Sequence, residues 1–277
     1  MHLYDPDTLV LPIPHKGQRQ DHHRGQPWTT GFTGSDGEYL FRSNLARLAP
    51  GWYYRDHEVT YTFNTTGYRA PQFDTVDWPN SWVIMGCSYV LGVGVAFEDT
   101  LGEQLSGLFE QPVINLGVGG GNLDIMAYNT ALMLDRDVKP RGVICLVPET
   151  TRKNFWMSHN WELLLPNQLH KQTGASRDFY RGWLKEQPMA ELNANLMLRG
   201  LRAQWLAAGV PCYLFNKTSA GLTAIAQSLE LGMKLPPDQD MARDVQISSA
   251  GMYAHPGRNT LRHWARFMHQ EINQPYL

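Results

Sequence analysis

The feature that most constrains this chain is an alternation that begins at residue 81. Four short apolar runs, SWVIMGCS (81–88), PVINLGV (112–118), RGVICLVP (141–148) and VPCYLFN (210–216), are separated by segments whose apolar residues recur at helical spacing. A strand covered on both faces has no polar side to show, so it reads as a continuous apolar run. Phe97, Leu101, Leu105, Leu108 and Phe109 fall on one face of a predicted helix. Leu261, Trp264, Ala265, Met268 and Ile272 do the same near the end of the chain, and further helices are predicted over 122–136 and about 189–208. Strands that alternate with helices at this spacing make a parallel sheet covered on both faces, so the fold class is α/β. Ligands bind such sheets beyond the carboxyl ends of the strands. The loops that matter therefore begin at Gly86, Leu116, Val147 and Phe215.

Residues 1–79 read differently. They are rich in His, Pro, Gly and aromatic residues and carry no sustained helical period. GWYYRDHEVTYTFNTTGY (51–68) is aromatic and Thr-rich, and it predicts one or two strands broken by Asn-Thr-Thr-Gly. The expectation is an N-terminal β-rich extension, a β-hairpin packed on a main domain of residues 80–277.

The composition narrows the function classes. Of the 277 residues, 43% are hydrophobic and 18% charged, which fits a globular chain and argues against disorder. A net charge of -2 with no block of like charges offers no footprint for nucleic acid. No stretch approaches the roughly 18 consecutive apolar residues of a membrane span, and the N-terminus lacks the basic start and apolar run of a signal peptide. Cys87, Cys145 and Cys212 each lie in or beside a strand-like run. An odd number of buried-looking cysteines predicts reduced thiols and a cytoplasmic or otherwise non-secreted setting. Without a secretory signal, Asn64-Thr65-Thr66 is read as a chance match to a glycosylation acceptor.

Three places offer chemistry. Ser88 ends the first apolar run, in Gly86-Cys87-Ser88, where it is either a nucleophile at the ligand edge or a plain helix cap. The segment lacks the Gly-x-Ser-x-Gly elbow of ordinary α/β-hydrolases. The loop Asn115-Leu116-Gly117-Val118-Gly119-Gly120-Gly121-Asn122 exposes backbone N–H groups. It is a poor dinucleotide fingerprint, because Asn122 stands at the third glycine position; oxyanion stabilisation or a tight turn explains the glycines as well. His255 lies just ahead of the last helix, in Ala254-His255-Pro256-Gly257. His15, His22 and His23 fall in the irregular N-terminus and His263 and His269 in the closing helix. No pair has metal-ligand spacing, so no metal and no cofactor are expected.

Taken together, Gly-x-Ser after the first strand, Asn-x-Gly-x-x-Gly after the second and His-Pro-Gly before the last helix resemble the SGNH (GDSL-type) hydrolase family. Asn64-Thr65-Thr66-Gly67-Tyr68-Arg69 is similar to a segment that precedes the serine block in many members. The resemblance spans roughly residues 60–270. It implies a three-layer, flavodoxin-like α/β fold, with Ser88 as nucleophile and His255 as base. It further implies an oxyanion hole made by the N–H groups of Ser88 and Gly120 and a side-chain donor after the third strand. The family's Gly-x-Asn-Asp is missing there and VPETTRKNFW (147–156) stands instead, so Thr150 or Thr151 is left as donor and Arg152 as contact for an anionic group. Trp156 and its aromatic neighbours through Trp183 form either a substrate wall or the core of a small insertion. The family's Asp three residues before the histidine is Met252 here, and Asp244 is the nearest upstream carboxylate. Asp244 either serves His255 or pairs with Arg243 or Arg258 at the surface, and a Ser–His dyad is the third option. Cys87 is a weaker alternative nucleophile, since one step along a strand turns a side chain to the other face. The expected activity is hydrolysis of a short-chain ester, such as a carbohydrate O-acetyl group, through an acyl-enzyme. An O-acyltransferase and a non-catalytic carbohydrate-binding or structural module on a decayed hydrolase fold are the rival readings.

Overall fold

The computed structural model describes residue 9 and residues 26–33, 36–157, 160–171, 173–217, 233–248 and 251–274. His15, His22 and His23 lie outside them. The N-terminal part holds β1 (Trp28–Thr30), α1 (Glu38–Asn44) and β2 (Tyr61–Phe63). The main part continues with β3 (Trp82–Gly86), α2 (Ser88–Leu91), α3 (Leu101–Phe109), β4 (Val113–Gly117), α4 (Leu123–Asp135) and β5 (Gly142–Val147). An insertion follows, made of β6 (Lys153–Met157), β7 (Asn160–Leu164) and α5 (Gly174–Lys185). The chain then runs through α6 (Gln187–Ala207), β8 (Cys212–Asn216), β9 (Met233–Lys234), β10 (Gln246–Ser248), β11 (Gly251–Tyr253) and α7 (Arg258–Asn273).

The central sheet has the order β4-β3-β5-β8-β9, and every neighbouring pair is parallel. Numbered by appearance, this is 2-1-3-4-5, the flavodoxin-like doubly wound arrangement. The four apolar runs supply four of the five strands among the described residues. β9, only two residues long, has no periodicity to read.

Alternation along the strands sorts the core into two layers. Val83, Met85, Val143, Cys145 and Leu214 pack with Met126 and Met133 of α4 and with Leu198, Leu201 and Trp205 of α6. Ile84, Ile144, Leu146 and Phe215 face the other way, onto Leu101 and Leu105 of α3 and Leu261, Trp264 and Met268 of α7. Helix, sheet, helix is the three-layer α/β fold. The buried Trp205 ring has its polar end satisfied, Nε1 donating to Thr130 Oγ1 at 3.1 Å.

One local expectation is corrected. Phe97 does not belong to α3; it lies in a 3-10 turn, Phe97–Asp99, because Thr100 caps the helix by accepting from the Glu103 N–H. The stretch 51–68, read as one or two strands, forms one, β2, and Tyr53–Arg55 winds into a 3-10 turn. β2 pairs antiparallel with β1, and the two are connected through α1 instead of a tight hairpin turn.

The N-terminal part is bound into the fold at two depths. Tyr54, Val59, Tyr61 and Phe63 share the core of the α3/α7 side. Asp36 forms a buried ion pair with Arg243 at 2.6 Å and accepts the Tyr61 hydroxyl at 2.6 Å, while Asn44 Nδ2 donates to the Val245 carbonyl at 2.6 Å. Residues 243 and 245 are thus held from the N-terminal side. Among the described residues, no helix is long and apolar enough to cross a membrane.

Candidate active site

The site forms where the strand order reverses, between β3 and β5, the place at which such sheets leave a crevice. β3 ends at Gly86, Cys87 supplies the extended N-cap backbone, and Ser88 is the first residue of α2. The capping role is therefore not the one Ser88 takes. Its hydroxyl lies 2.7 Å from His255 Nε2.

Seating a helix this tightly against the sheet demands absent side chains. A Cβ on Gly117 would fall 2.2 Å from the Leu91 nitrogen and 2.6 Å from the Val90 carbonyl carbon, and one on Gly86 would fall 2.5 Å from Val90 Cγ2. The far end of α2 leaves carbonyls without helical partners. Asn115 Nδ2 donates to Val90 O at 2.7 Å, and Arg69 Nη1 donates to Gly92 O at 2.8 Å. Arg69 is fully buried, and burial lowers its pKa to about 10. The segment around Asn64 delivers it, since Asn64 Oδ1 accepts from the N–H groups of Thr66 and Tyr68 to fix the turn. The motifs flanking the serine thus act first as mounts for its helix.

His255 and Asp244 are brought together by the hairpin of β10 and β11. Its register pairs Gln246 with Tyr253 and Ser248 with Gly251. Beyond it the pairing shifts by two residues, so that Met241 bridges Pro256 and the Ala242 N–H donates to the His255 carbonyl at 2.9 Å; Asp244 lies in the stretch where the shift occurs. There the carboxylate is used twice: Oδ1 accepts the His255 backbone N–H at 3.0 Å and Oδ2 accepts from the ring Nδ1. With the ring proton held on Nδ1, Nε2 presents its lone pair to Ser88. All three residues are shielded from water: Ser88 is 6% exposed, His255 7% and Asp244 2%. Surface pairing of Asp244 is not what the structure has. Arg243 is given to Asp36, and Arg258 stacks over the Tyr53 ring at 4.1 Å.

The glycine-rich loop docks on the serine loop. Val118 N–H donates to Gly86 O at 3.1 Å, and the turn closes through Gly121 N–H to Val118 O at 2.8 Å. Gly120 takes φ 71° within it. Asn122, at the third glycine position of the fingerprint, caps α4 by accepting from the Ile125 N–H at 3.2 Å.

Thr150 and Arg152 lie in the turn that follows β5, closed by Arg152 N–H to Glu149 O at 3.2 Å. The Thr151 hydroxyl is occupied by Glu149, and its carbonyl receives both the Tyr180 hydroxyl and Trp183 Nε1 at 3.1 Å. Tyr180 is fully buried, so at this residue the aromatic segment serves as insertion core. Arg152 turns inward: Nε meets Glu149 Oε2 at 3.3 Å and Nη1 meets Gly121 O at 3.4 Å. Trp156 stands in β6 opposite Trp161; the side chains of 154–163 lie outside the described residues.

Two residues escaped the sequence reading. The Tyr89 ring packs edge-on against His255 at 5.4 Å, and Tyr253 lies 6.3 Å from the same imidazole. Tyr89 and Tyr253 are neighbours, and burial pushes both phenols above their ordinary pKa. Tyr89 adjoins the serine and was legible in principle. Tyr253 depends on the hairpin. Among the described residues, no group of three or more His, Cys, Asp and Glu is placed to hold a metal.

No family model matches the chain, and no curated protein matches it. Similar solved structures do exist, and three of them have a TM-score of 0.41. One is described as a lipolytic protein of the G-D-S-L family from Desulfitobacterium hafniense, at 12% identity over 69% of this chain and 98% of that one. A second is a carbohydrate esterase family 2 enzyme with a carbohydrate binding domain from Corynascus thermopiles (Myceliophthora fergusii), at 12% identity over 72% and 67%. The third is an acetyl xylan esterase from the rumen bacterium Butyrivibrio proteoclasticus, at 9% identity over 72% of this chain and 64% of that one. These are proteins to which this chain is similar in general arrangement, at a distance that bears on no residue of the site.

Proposed function

We propose that the chain is a serine esterase that cleaves a short-chain ester through an acyl-enzyme. The observation that carries this reading is the buried series Asp244–His255–Ser88 at the crevice of the sheet. Nucleophile, base and orienting carboxylate in that geometry are the parts that acyl transfer needs. His255 Nε2 takes the proton as Ser88 Oγ bonds to the ester carbonyl carbon, and the carbonyl π pair moves onto oxygen. The N–H groups of Ser88 and Gly120 receive that oxyanion. As the intermediate collapses, the alcohol leaves with the proton from His255. Water then repeats the sequence on the acyl-enzyme and releases the acid. The resemblance in sequence favours an O-acetyl group on a carbohydrate as the ester.

The test is labelling with a fluorophosphonate, peptide mapping and turnover of p-nitrophenyl acetate. Ser88 is expected to carry the label. Ser88→Ala is expected to lose several orders of magnitude in kcat, leaving about 10³–10⁴ over water. Label on Cys87, or a Ser88→Ala enzyme as fast as wild type, overturns the proposal. Free acid as the product, instead of a second ester, separates hydrolysis from transfer.

A further inference from the structure

We propose that Arg152 is a catalytic residue, its guanidinium supplying the charged third donor to the oxyanion formed at Ser88. The inference rests on the esterase reading above and extends it to a side chain with an electrophilic role.

Position comes first. β5 adjoins β3 at the reversal of the sheet, so the turn leaving β5 faces the loop that carries Ser88. Arg152 closes that turn, and Tyr180 and Trp183 anchor the turn through the Thr151 carbonyl. Its Nη1 reaches the Gly121 carbonyl in the glycine-rich loop, and the side chain lies close to those of Cys87 and Tyr89. Cys87 and Tyr89 flank Ser88 in the chain. The guanidinium therefore sits between the two segments whose backbone N–H groups would receive the oxyanion.

Charge and donor capacity come next. The side chain is only 18% exposed and burial opposes its charge, but a guanidinium stays protonated in a protein and Glu149 lies beside it. Glu149 neutralises it weakly, being 48% exposed at 3.3 Å. Gly121 and Glu149 occupy two of the five guanidinium N–H groups. The rest remain for a ligand at the mouth of the site. A charge-assisted hydrogen bond is roughly twice as strong as a neutral one. It also strengthens as the carbonyl oxygen gains its full negative charge, which is when stabilisation raises kcat. No proton leaves Arg152: in the attack Ser88 gives its proton to His255, and the arginine only donates hydrogen bonds.

The competing role is recognition of an anionic group elsewhere on the substrate. A neutral minimal ester separates the two, because p-nitrophenyl acetate has no second anion to bind. Arg152→Met is expected to lower kcat for it by about 10²–10³ with KM little changed. Added guanidinium is expected to restore part of the loss in Arg152→Ala, and a purely structural defect would not respond that way. Should the melting temperature show that Arg152→Met fails to fold, Arg152→Gln, which keeps N–H donors without charge, carries the same expected fall in kcat. A folded variant with wild-type kcat on p-nitrophenyl acetate overturns the inference. If its KM rises only for acid-bearing esters, the arginine is a substrate contact. A wild-type protein that neither turns over the ester nor labels at Ser88 overturns the esterase reading itself, a different result.

Discussion

Asp244→Asn changes the chemistry of the carboxylate while keeping its volume. Oδ1 can go on accepting the His255 backbone N–H, now found at 3.0 Å. The other arm becomes an NH₂ group, a donor, facing the ring nitrogen that at present donates to it. To accept that bond the imidazole must lose its Nδ1 proton and hold one on Nε2, the nitrogen 2.7 Å from the Ser88 hydroxyl. A base carrying its proton toward the nucleophile cannot take another. Asp-to-Asn changes in triads that retain their geometry lower kcat by about 10⁴, or about 5 kcal/mol of transition-state stabilisation. The fold should change little, because the buried backbone N–H keeps its acceptor. Asp244→Ala is less clean, since it orphans that N–H at a cost of about 1–3 kcal/mol. Stopped-flow or steady-state hydrolysis of p-nitrophenyl acetate, with a melting curve for each variant, supplies the measurement. A folded Asp244→Asn enzyme within about tenfold of wild-type kcat, where 10⁴ is expected, refutes the reasoning and leaves a Ser–His dyad.

Two further outcomes concern the mounting of the site. Gly117→Ala puts a methyl group 2.2 Å from a backbone nitrogen of α2. Since neither chain can yield without moving Ser88, about 3 kcal/mol of stability and the fluorophosphonate label at Ser88 should both be lost; undiminished labelling refutes this. Asp36→Ala leaves the Arg243 guanidinium buried without its carboxylate, so urea denaturation should report a loss of about 3–5 kcal/mol, and an unchanged midpoint counts against the ion pair as described.

Periodicity carried most of the sheet and helices, because each strand and amphipathic face is written in neighbouring residues. It failed where an element is too short to repeat, as at Met233–Lys234, or where a cap overrides an apolar spacing, as at Thr100 after Phe97. The structure brings together Ser88, His255 and Asp244, which the sequence had singled out separately. What the sequence did not contain was the route: Met252, at the position where the resembled family has its carboxylate, lies in β11, and the chain leading into the hairpin brings the Asp244 side chain to His255 instead. Asp36, Arg243 and Tyr253 act through partners far away in the chain, and such pairs leave no local pattern to read.

The ties between Asp36 and Arg243 and between Asn44 and Val245 span 207 and 201 residues, and the approach of Ser88 to His255 spans 167. Each closes a loop comparable to the whole chain, whose entropy must be met before the contact returns anything. Contacts of such separation form slowly and late in folding. During synthesis Ser88 and its glycine-rich neighbours emerge long before the hairpin that carries His255 and Asp244. On the proposed esterase reading, a nascent chain therefore holds a nucleophile without a base. Under that reading hydrolytic competence arrives as the last event of maturation, so that recovered turnover is expected to report complete folding where recovered secondary structure does not.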